Sequence, residues 1–248
     1  MKNYNLIVKK IAFIPARYAA TRFPGKLMQK IADQTIISMV YQNALGMNLF
    51  DDVVVVTDSD IISDEIKNIG GKVVKSQKQH QSGSDRIAEA CEKTDVDLIV
   101  NIQGDEPFIK KQPLEDLIRC FNDPNVSVAS LMQKFPENES YENSNIVKVV
   151  CNKLNDALYF SRSAIPYKRN KEISEVLYRH IGVYAYRKDV LINFTKWPVG
   201  VLEKTEMLEQ LRYLENGVLI RMVETNEASV GVDTPEDLKK AIAFYNKS

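Results

Sequence analysis

Cysteine and histidine are scarce in this chain. Three cysteines (Cys91, Cys120 and Cys151) and two histidines are spread over 248 residues. The cysteine count is odd and no CxxC pair occurs, which argues against a disulfide framework or a zinc site and for a reducing cytoplasm. Long apolar runs are missing as well. None approaches the ~20 residues that span a bilayer, and Leu6-Ile7-Val8 is far too short for a signal-peptide core. Net charge is the third absence. Lys and Arg total 33, and Asp and Glu total 33. Without a net charge there is no bulk pull toward nucleic acid or an anionic membrane, and neither is expected as a partner. The phosphate-binding strings GxxxxGK[ST] and GxGxxG do not occur, so neither a Walker A loop nor a dinucleotide fingerprint is present.

What remains is the composition of an ordinary soluble globular protein, with 44% hydrophobic and 27% charged residues. Short apolar runs alternate with amphipathic stretches. Residues 10–15, 53–57, 72–75 and 97–102 read as buried strands, and Val53-Val54-Val55-Val56 is wholly β-branched. Residues 36–45, 60–69 and 84–91 read as helices, the second closed by Gly70-Gly71. This β-α-β-α-β order implies a largely parallel sheet flanked by helices, with ligands outside the carboxyl ends of its strands. The second half is less regular. Strands are expected at 126–132, 146–150, 181–186 and 218–222, a helix at 203–215, and a last helix opened by Asp233-Thr234-Pro235-Glu236. A single domain over 1–248 is expected, with one half at 10–110 and a smaller lobe in 111–248.

Five strings stand where chemistry is expected. PARYAATRFPGK (15–26) follows the first strand and puts Arg17, Arg22 and Lys26 on one loop. Guanidinium forks and a movable ammonium suit a triphosphate, and the small Ala19 and Ala20 let backbone N–H groups approach it. NIQGDEP (101–107) ends a buried strand, so Asp105 sits at the sheet's carboxyl edge, where a carboxylate can hold Mg2+ against phosphate. A plain strand exit would use the same Gly, Asp and Pro. GVDTPED (231–237) offers Asp233 either as a second metal carboxylate or as the N-cap of the last helix. HQSGSDR (80–86) brings Ser82 and Gly83 to a helix start, suited to a base or phosphate. Arg162, His180, Glu209 and Gln210 form a mixed donor and acceptor set of the kind a sugar needs, although Glu209 and Arg212 also read as an i,i+3 surface ion pair.

Taken together, these strings, with LYFSR (158–162), RHIGVYAY (179–186) and EMLEQLR (206–212), resemble the 3-deoxy-manno-octulosonate (Kdo) cytidylyltransferase family of lipopolysaccharide synthesis. The resemblance runs from about Lys10 to the last helix. It departs at Ser84-Asp85, where the family pattern more often has Thr-Glu. It implies a Rossmann-like nucleotidyltransferase fold, usually dimeric, and an Mg2+-assisted transfer of CMP from CTP to an acidic sugar. Arg17, Arg22, Lys26 and Asp105 would be the catalytic set. Ala16, Ser82, Gly83 and Arg86 would lie by the nucleotide, and Asp105 and Asp233 would hold the metal. Gln103, Arg162, His180, Tyr184, Glu209 and Gln210 would surround the sugar, in a lobe that also dimerises. The phosphate-binding residues do not separate Kdo from 8-amino-Kdo or a sialic acid, and a non-catalytic nucleotide-binding regulator is the alternative of a different class.

Overall fold

The structure is a computed structural model and describes residues 9–19, 23–80, 82–135, 139–170, 172, 176–227 and 231–247. The chain forms two compact units, Ile7–Lys111 with Ala228–Ser248, and Gln112–Glu227. The C-terminal segment thus belongs with the first unit rather than with the lobe that precedes it in sequence.

The first unit is an α/β layer around a parallel sheet. β1 (Lys10–Ala16), β4 (Asp52–Thr57), β5 (Lys72–Lys75) and β6 (Leu98–Asn101) lie in the order β6-β1-β4-β5. A two-residue hairpin, β2 (Lys30–Ile31) with β3 (Gln34–Thr35), precedes α1 (Ile36–Gly46). Residues 11–14 of β1 and 53–57 of β4 are buried throughout, as a sheet covered on both faces requires. Each helix between the strands starts at a side-chain cap. The Thr35 Oγ1 accepts from the Ser38 N–H at 3.2 Å for α1. The Ser59 Oγ accepts from Ile62 at 3.4 Å for α2 (Asp60–Asn68). The Ser82 Oγ accepts from Asp85 at 3.1 Å for α3 (Gly83–Glu92).

Strand order fixes where a ligand can sit. From β1 the chain moves through α1 to β4 and through α2 to β5, then α3 carries it back to the other side of β1 at β6. The direction reverses between β1 and β6, and the crevice opens outside their carboxyl ends. The loops that leave those ends begin at Arg17 and Ile102. Gly104 stands there because a Cβ on it would lie 3.1 Å from the Pro15 carbonyl oxygen, so its hydrogen lets the β6 loop close onto the end of β1. The close approach is to protein backbone, a use of this glycine beyond the ligand access that its loop position suggests.

The second unit begins with α4 (Lys111–Arg119) and holds β7 (Val128–Lys134), β8 (Lys148–Cys151), β9 (Ala157–Ser161) and β10 (Tyr178–Arg187). α5 (Lys188–Phe194), α6 (Val201–Glu206), α7 (Leu211–Glu215) and β11 (Ile220–Glu224) complete it. β11 runs parallel to β7, and β10 is antiparallel to both β7 and β8, which in turn pairs with β9. Lys148 is fully buried in β8, and its ammonium donates to the carbonyls of Asn143 at 2.9 Å, Ile146 at 3.0 Å and Arg162 at 2.5 Å. Burial pushes its pKa down from the ordinary lysine value, against the raising charges of Glu142 and Glu206. The three cysteines carry thiols and form no disulfide. Burial raises Cys120 to about 12 and Cys151 to about 11, which leaves both inert at neutral pH.

One sequence expectation is corrected, and one open choice is settled. The helix expected at 203–215 is broken into α6 and α7, because Met207 adopts a left-handed φ of 54°. Long-range bonds hold the break. The Glu206 carboxylate accepts from the Ser161 hydroxyl at 2.6 Å and the Arg162 N–H at 3.0 Å, and its carbonyl accepts from the Arg162 Nε–H at 2.8 Å. The open choice concerns α8 (Pro235–Tyr245), whose N-cap is Thr234, so that of the two readings of Asp233 the cap does not apply. The Thr234 Oγ1 accepts from Asp237 N–H at 3.2 Å, and Asp237 Oδ2 accepts from Thr234 N–H at 3.1 Å, a complete capping box. Asp233 lies outside the helix, and its carboxylate accepts from the Lys26 ammonium. Thr234→Ala is therefore expected to lower unfolding stability by about 1 kcal/mol, whereas Asp233→Asn should change it by less than about half of that. Urea unfolding of Thr234→Ala checks the assignment, and an unchanged stability in that variant would overturn it.

Candidate active site

At the crevice between β1 and β6 lies a cavity of about 340 Å³. Its wall includes Pro15, Arg17, Phe23, Lys26, Gln103, Gly104, Asp105 and Asp233. Three segments converge on it: the loop after β1, the loop after β6 and the approach to α8. The last two are tied by a backbone bond, Val232 N–H to the Asp105 carbonyl at 2.9 Å.

Lys26 is the centre of this convergence. Gly25, at a φ of +68°, turns the chain and caps a 3₁₀ turn over Lys26–Met28, and its N–H donates to the Tyr18 carbonyl at 3.0 Å. Leu27 is buried, which anchors the turn, while the lysine side chain keeps 14% of its surface. Its ammonium donates to Asp233 Oδ1 at 2.8 Å and also bonds Asp105 Oδ2. Burial opposes the charge on Lys26, but the two carboxylates outweigh it and lift its pKa above the ordinary lysine value. The side chains of Asp105 and Asp233 are 25% and 49% exposed, so both still face the open cavity.

The other expected nucleotide residues are placed as follows. Ala16 is buried at the end of β1. Arg17 is exposed at the cavity wall. Arg22 lies outside the described residues. Ser82 caps α3, and a Cβ on Gly83 would lie 3.2 Å from Pro15 Cγ. Arg86 is 1% exposed, with Nη2 donating to Asp58 Oδ2 at 3.1 Å and Nη1 without a hydrogen-bond partner among the described residues. Burial alone would raise the pKa of Asp58, but Arg86 and then Arg17 turn the balance and hold it low. The loop ahead of α3 is fastened by Glu89, which bonds His80 Nε2 at 2.7 Å and Ser76 Oγ at 2.8 Å. Burial works against the Glu89 charge, yet these bonds bring its pKa down to about 2.

The sugar set falls in Gln112–Glu227, except for Gln103, whose Nε2 donates to Asn101 Oδ1 at 3.0 Å in the first unit. His180 and Tyr184 lie on β10 either side of a register shift, with ring centroids 5.4 Å apart. Phe160 packs edge-on to His180 at 5.2 Å, and Ser130 Oγ is 3.0 Å from its Nε2. Desolvation pushes His180 down to about 3, so it is a neutral hydrogen-bonding group at physiological pH. Burial first, then neighbouring charges that include Glu209, raises the Tyr184 pKa well above the usual phenol value. Glu209 and Gln210 form the turn before α7 rather than a helix, and Gln210 is buried. Arg212 makes two 2.6 Å bonds to Glu203 and stacks 4.2 Å from the Phe194 centroid. Arg162 turns toward the end of α6, giving bonds to the carbonyls of Glu206 at 2.8 Å, Ser144 at 3.1 Å and Met207 at 3.4 Å. Ser130, Lys148, Glu203 and Glu206 support this set and were not singled out from sequence. Lys148 alone left a signal there, a charge inside the apolar run Ile146 to Val150.

The comparisons with known proteins come down on one family. A cytidylyltransferase family profile matches residues 11–222. A 3-deoxy-manno-octulosonate cytidylyltransferase of Flavobacterium johnsoniae is 53% identical over 96% of this chain and 98% of its own. That of Christiangramia forsetii is 50% identical, over 93% and 94%. The chain belongs to the 3-deoxy-manno-octulosonate cytidylyltransferase family. A CMP:2-keto-3-deoxy-manno-octonic acid synthetase solved with CTP matches with a TM-score of 0.92 and 40% identity, over 97% of this chain and 99% of that one. The inositol-1-phosphate CTP transferase of T. maritima, at 17% identity and a TM-score of 0.69, shares the fold. As a cytidylyltransferase-family member the protein is a nucleotidyltransferase enzyme.

The state of His180 gives a pH test. Its pKa is about 3 in the folded protein against an ordinary 6.5. Between those values the unfolded chain binds a proton that the folded one does not, so stability falls as pH drops below 6.5 toward 3. His180→Gln is expected to flatten that slope by up to one proton in urea unfolding at stepped pH. An unchanged slope, or a native His180 imidazole titrating near 6.5 by NMR, would contradict the assignment.

Proposed function

We propose that the protein transfers CMP from CTP to 3-deoxy-D-manno-octulosonate, releasing pyrophosphate, with Mg2+ as cofactor. The observation that carries the reading is the meeting of Arg17, Lys26, Asp105 and Asp233 on one cavity at the β1–β6 switch point. The relatives' names supply the sugar, and the CTP-bound neighbour supports the nucleotide.

The donor set fits a hard divalent cation. Asp105 and Asp233 offer carboxylate oxygens from two loops, both partly exposed to the same cavity. A bound Mg2+ supplies positive charge to phosphate oxygens and lowers the pKa of the attacking hydroxyl. The protein's own work is positioning and charge. Arg17 and Lys26, with Arg22 by family resemblance, hold the triphosphate, and Ala16 and Gly83 are assigned to the nucleotide by the same resemblance. The anomeric oxygen of the sugar forms a bond to the α-phosphorus in line with the leaving group. The bond from that phosphorus to the bridging oxygen breaks, pyrophosphate departs, and the hydroxyl proton is lost to solvent or phosphate. Gln103 is assigned to the sugar by family resemblance alone. Neutral His180, with Arg162, Tyr184, Glu209 and Gln210 of its own unit, binds the sugar. Its carboxylate is matched to the Arg162 guanidinium, whose charge the backbone carbonyls around it leave uncancelled.

The reading includes a cytoplasmic setting and a homodimer. Among the described residues no helix is long and apolar enough to cross a membrane. The disulfide-free cysteines fit a reducing compartment. Exposed apolar side chains in the Gln112–Glu227 unit, Val201 at 74%, Met207 at 77% and Leu158 at 61%, support self-association.

Pyrophosphate release is the direct test. It is expected with CTP, Kdo and Mg2+ together, and to fall away when any one is omitted or when ATP replaces CTP. Sialic acid or 8-amino-Kdo outperforming Kdo would reassign the substrate, and no release with any acidic sugar would sink the proposal. Asp105→Asn and Asp233→Asn should each cut turnover by roughly 10²-fold or more, with the double variant far from additive. Normal turnover and metal dependence in Asp233→Asn would remove that residue from the site.

A further inference from the structure

The ammonium of Lys26 already does for Asp105 and Asp233 what a metal ion would do. It bonds both carboxylates, one at 2.8 Å, and does so from a short, well-anchored turn. The three groups sum to one negative charge: two carboxylates at −1 and one ammonium at +1. A divalent ion entering the same pair would meet that ammonium at bonding distance, where two cations repel strongly. The pair is therefore not an open cation site in the free protein.

We propose that Lys26 is the resident counter-ion of the Asp105–Asp233 pair and closes it to free divalent cations until a triphosphate draws the ammonium away. This rests on the reading of the two carboxylates as the metal's ligands. The choice of lysine suits the role. Its charge is compact and its four-carbon stem rotates, so it can change partners without moving the backbone, which a planar guanidinium locked in a two-point bond cannot do as freely. The cavity that holds the pair also carries Arg17, so a triphosphate has a cationic wall to meet before Lys26 moves. In the exchange the ammonium passes from carboxylate to phosphate, and the cation that accompanies the nucleotide takes its place. Metal and nucleotide then enter as one unit. Each state of the cavity gives both carboxylates a cationic partner.

The test is binding, read by titration calorimetry on the full chain. Mn2+ is titrated into the nucleotide-free wild type, Lys26→Met and Lys26→Gln. Separately, CTP is titrated into wild type and Asp105→Asn with and without Mn2+. The expectation is that both Lys26 variants bind Mn2+ at least about tenfold more tightly than the wild type, since the competing charge is gone. Mn2+ should also strengthen CTP binding in the wild type but not in Asp105→Asn. If Mn2+ strengthens CTP binding only where Asp105 is intact, yet the Lys26 variants gain no affinity for the free ion, the counter-ion role is overturned and the metal site stands. If Mn2+ leaves CTP binding unchanged in the wild type, the metal reading itself falls and takes this inference with it. The carboxylates are partly exposed and can turn to water, so the variants are expected to fold, and unchanged circular dichroism checks it.

Discussion

Lys26 reaches across the chain to Asp105 and Asp233, and the architecture of the first unit serves that meeting. The three residues come from a loop after β1, a loop after β6 and the lead-in to α8. None of them is close to another in sequence. A parallel sheet with a reversal of strand order is the simplest way to bring such loops to one edge, because every strand delivers its carboxyl end to the same side. Gly104 closes the second loop against Pro15, Gly25 aims the lysine, and the Val232–Asp105 backbone bond holds the third segment in place. Remove any of these and the charges remain in the sequence without sharing a cavity.

Electrostatics then separates two kinds of residue. In the first unit the groups are charged and only partly buried, so their interactions change when a highly charged ligand arrives. In Gln112–Glu227, beside the charged Arg162, three groups are quiet. His180 is held neutral, Tyr184 stays a phenol and Lys148 spends its charge on three carbonyls. A neutral, pre-bonded surface suits hydroxyl recognition, and a charged, exchangeable one suits phosphate transfer. The aromatic series from Phe160 through His180, Tyr184, Tyr186 and Tyr213 to Phe194 gives the quiet set a rigid backing.

Much of the first unit was legible from residues alone. β1, α1, β4, α2 and β5 lie within a residue or two of where apolar runs and cap residues put them. Those signals are local: a β-branched run, a serine or threonine before a helix, a double glycine after one. The misreadings share an opposite cause. Residues 203–215 have helical periodicity, yet Glu206 is claimed by Ser161 and Arg162, forty-odd positions away, and the helix breaks at Met207. Asp233 and Thr234 are both good caps, and only the bond between Asp233 and Lys26 shows which is spared for the cavity. Arg212 also reaches Glu203, on the far side of the break. Tertiary partners decide each case, and no window of sequence contains them.

A crystal structure of the protein with CTP and Mn2+, in the absence of sugar, tests the central claim most directly. The account predicts the triphosphate in the cavity beside Pro15 and Gly104, anomalous density between Asp105 and Asp233, and the Lys26 ammonium about 3 Å from a phosphate oxygen. A triphosphate bound elsewhere, with Lys26 still bridging the two carboxylates, would contradict it.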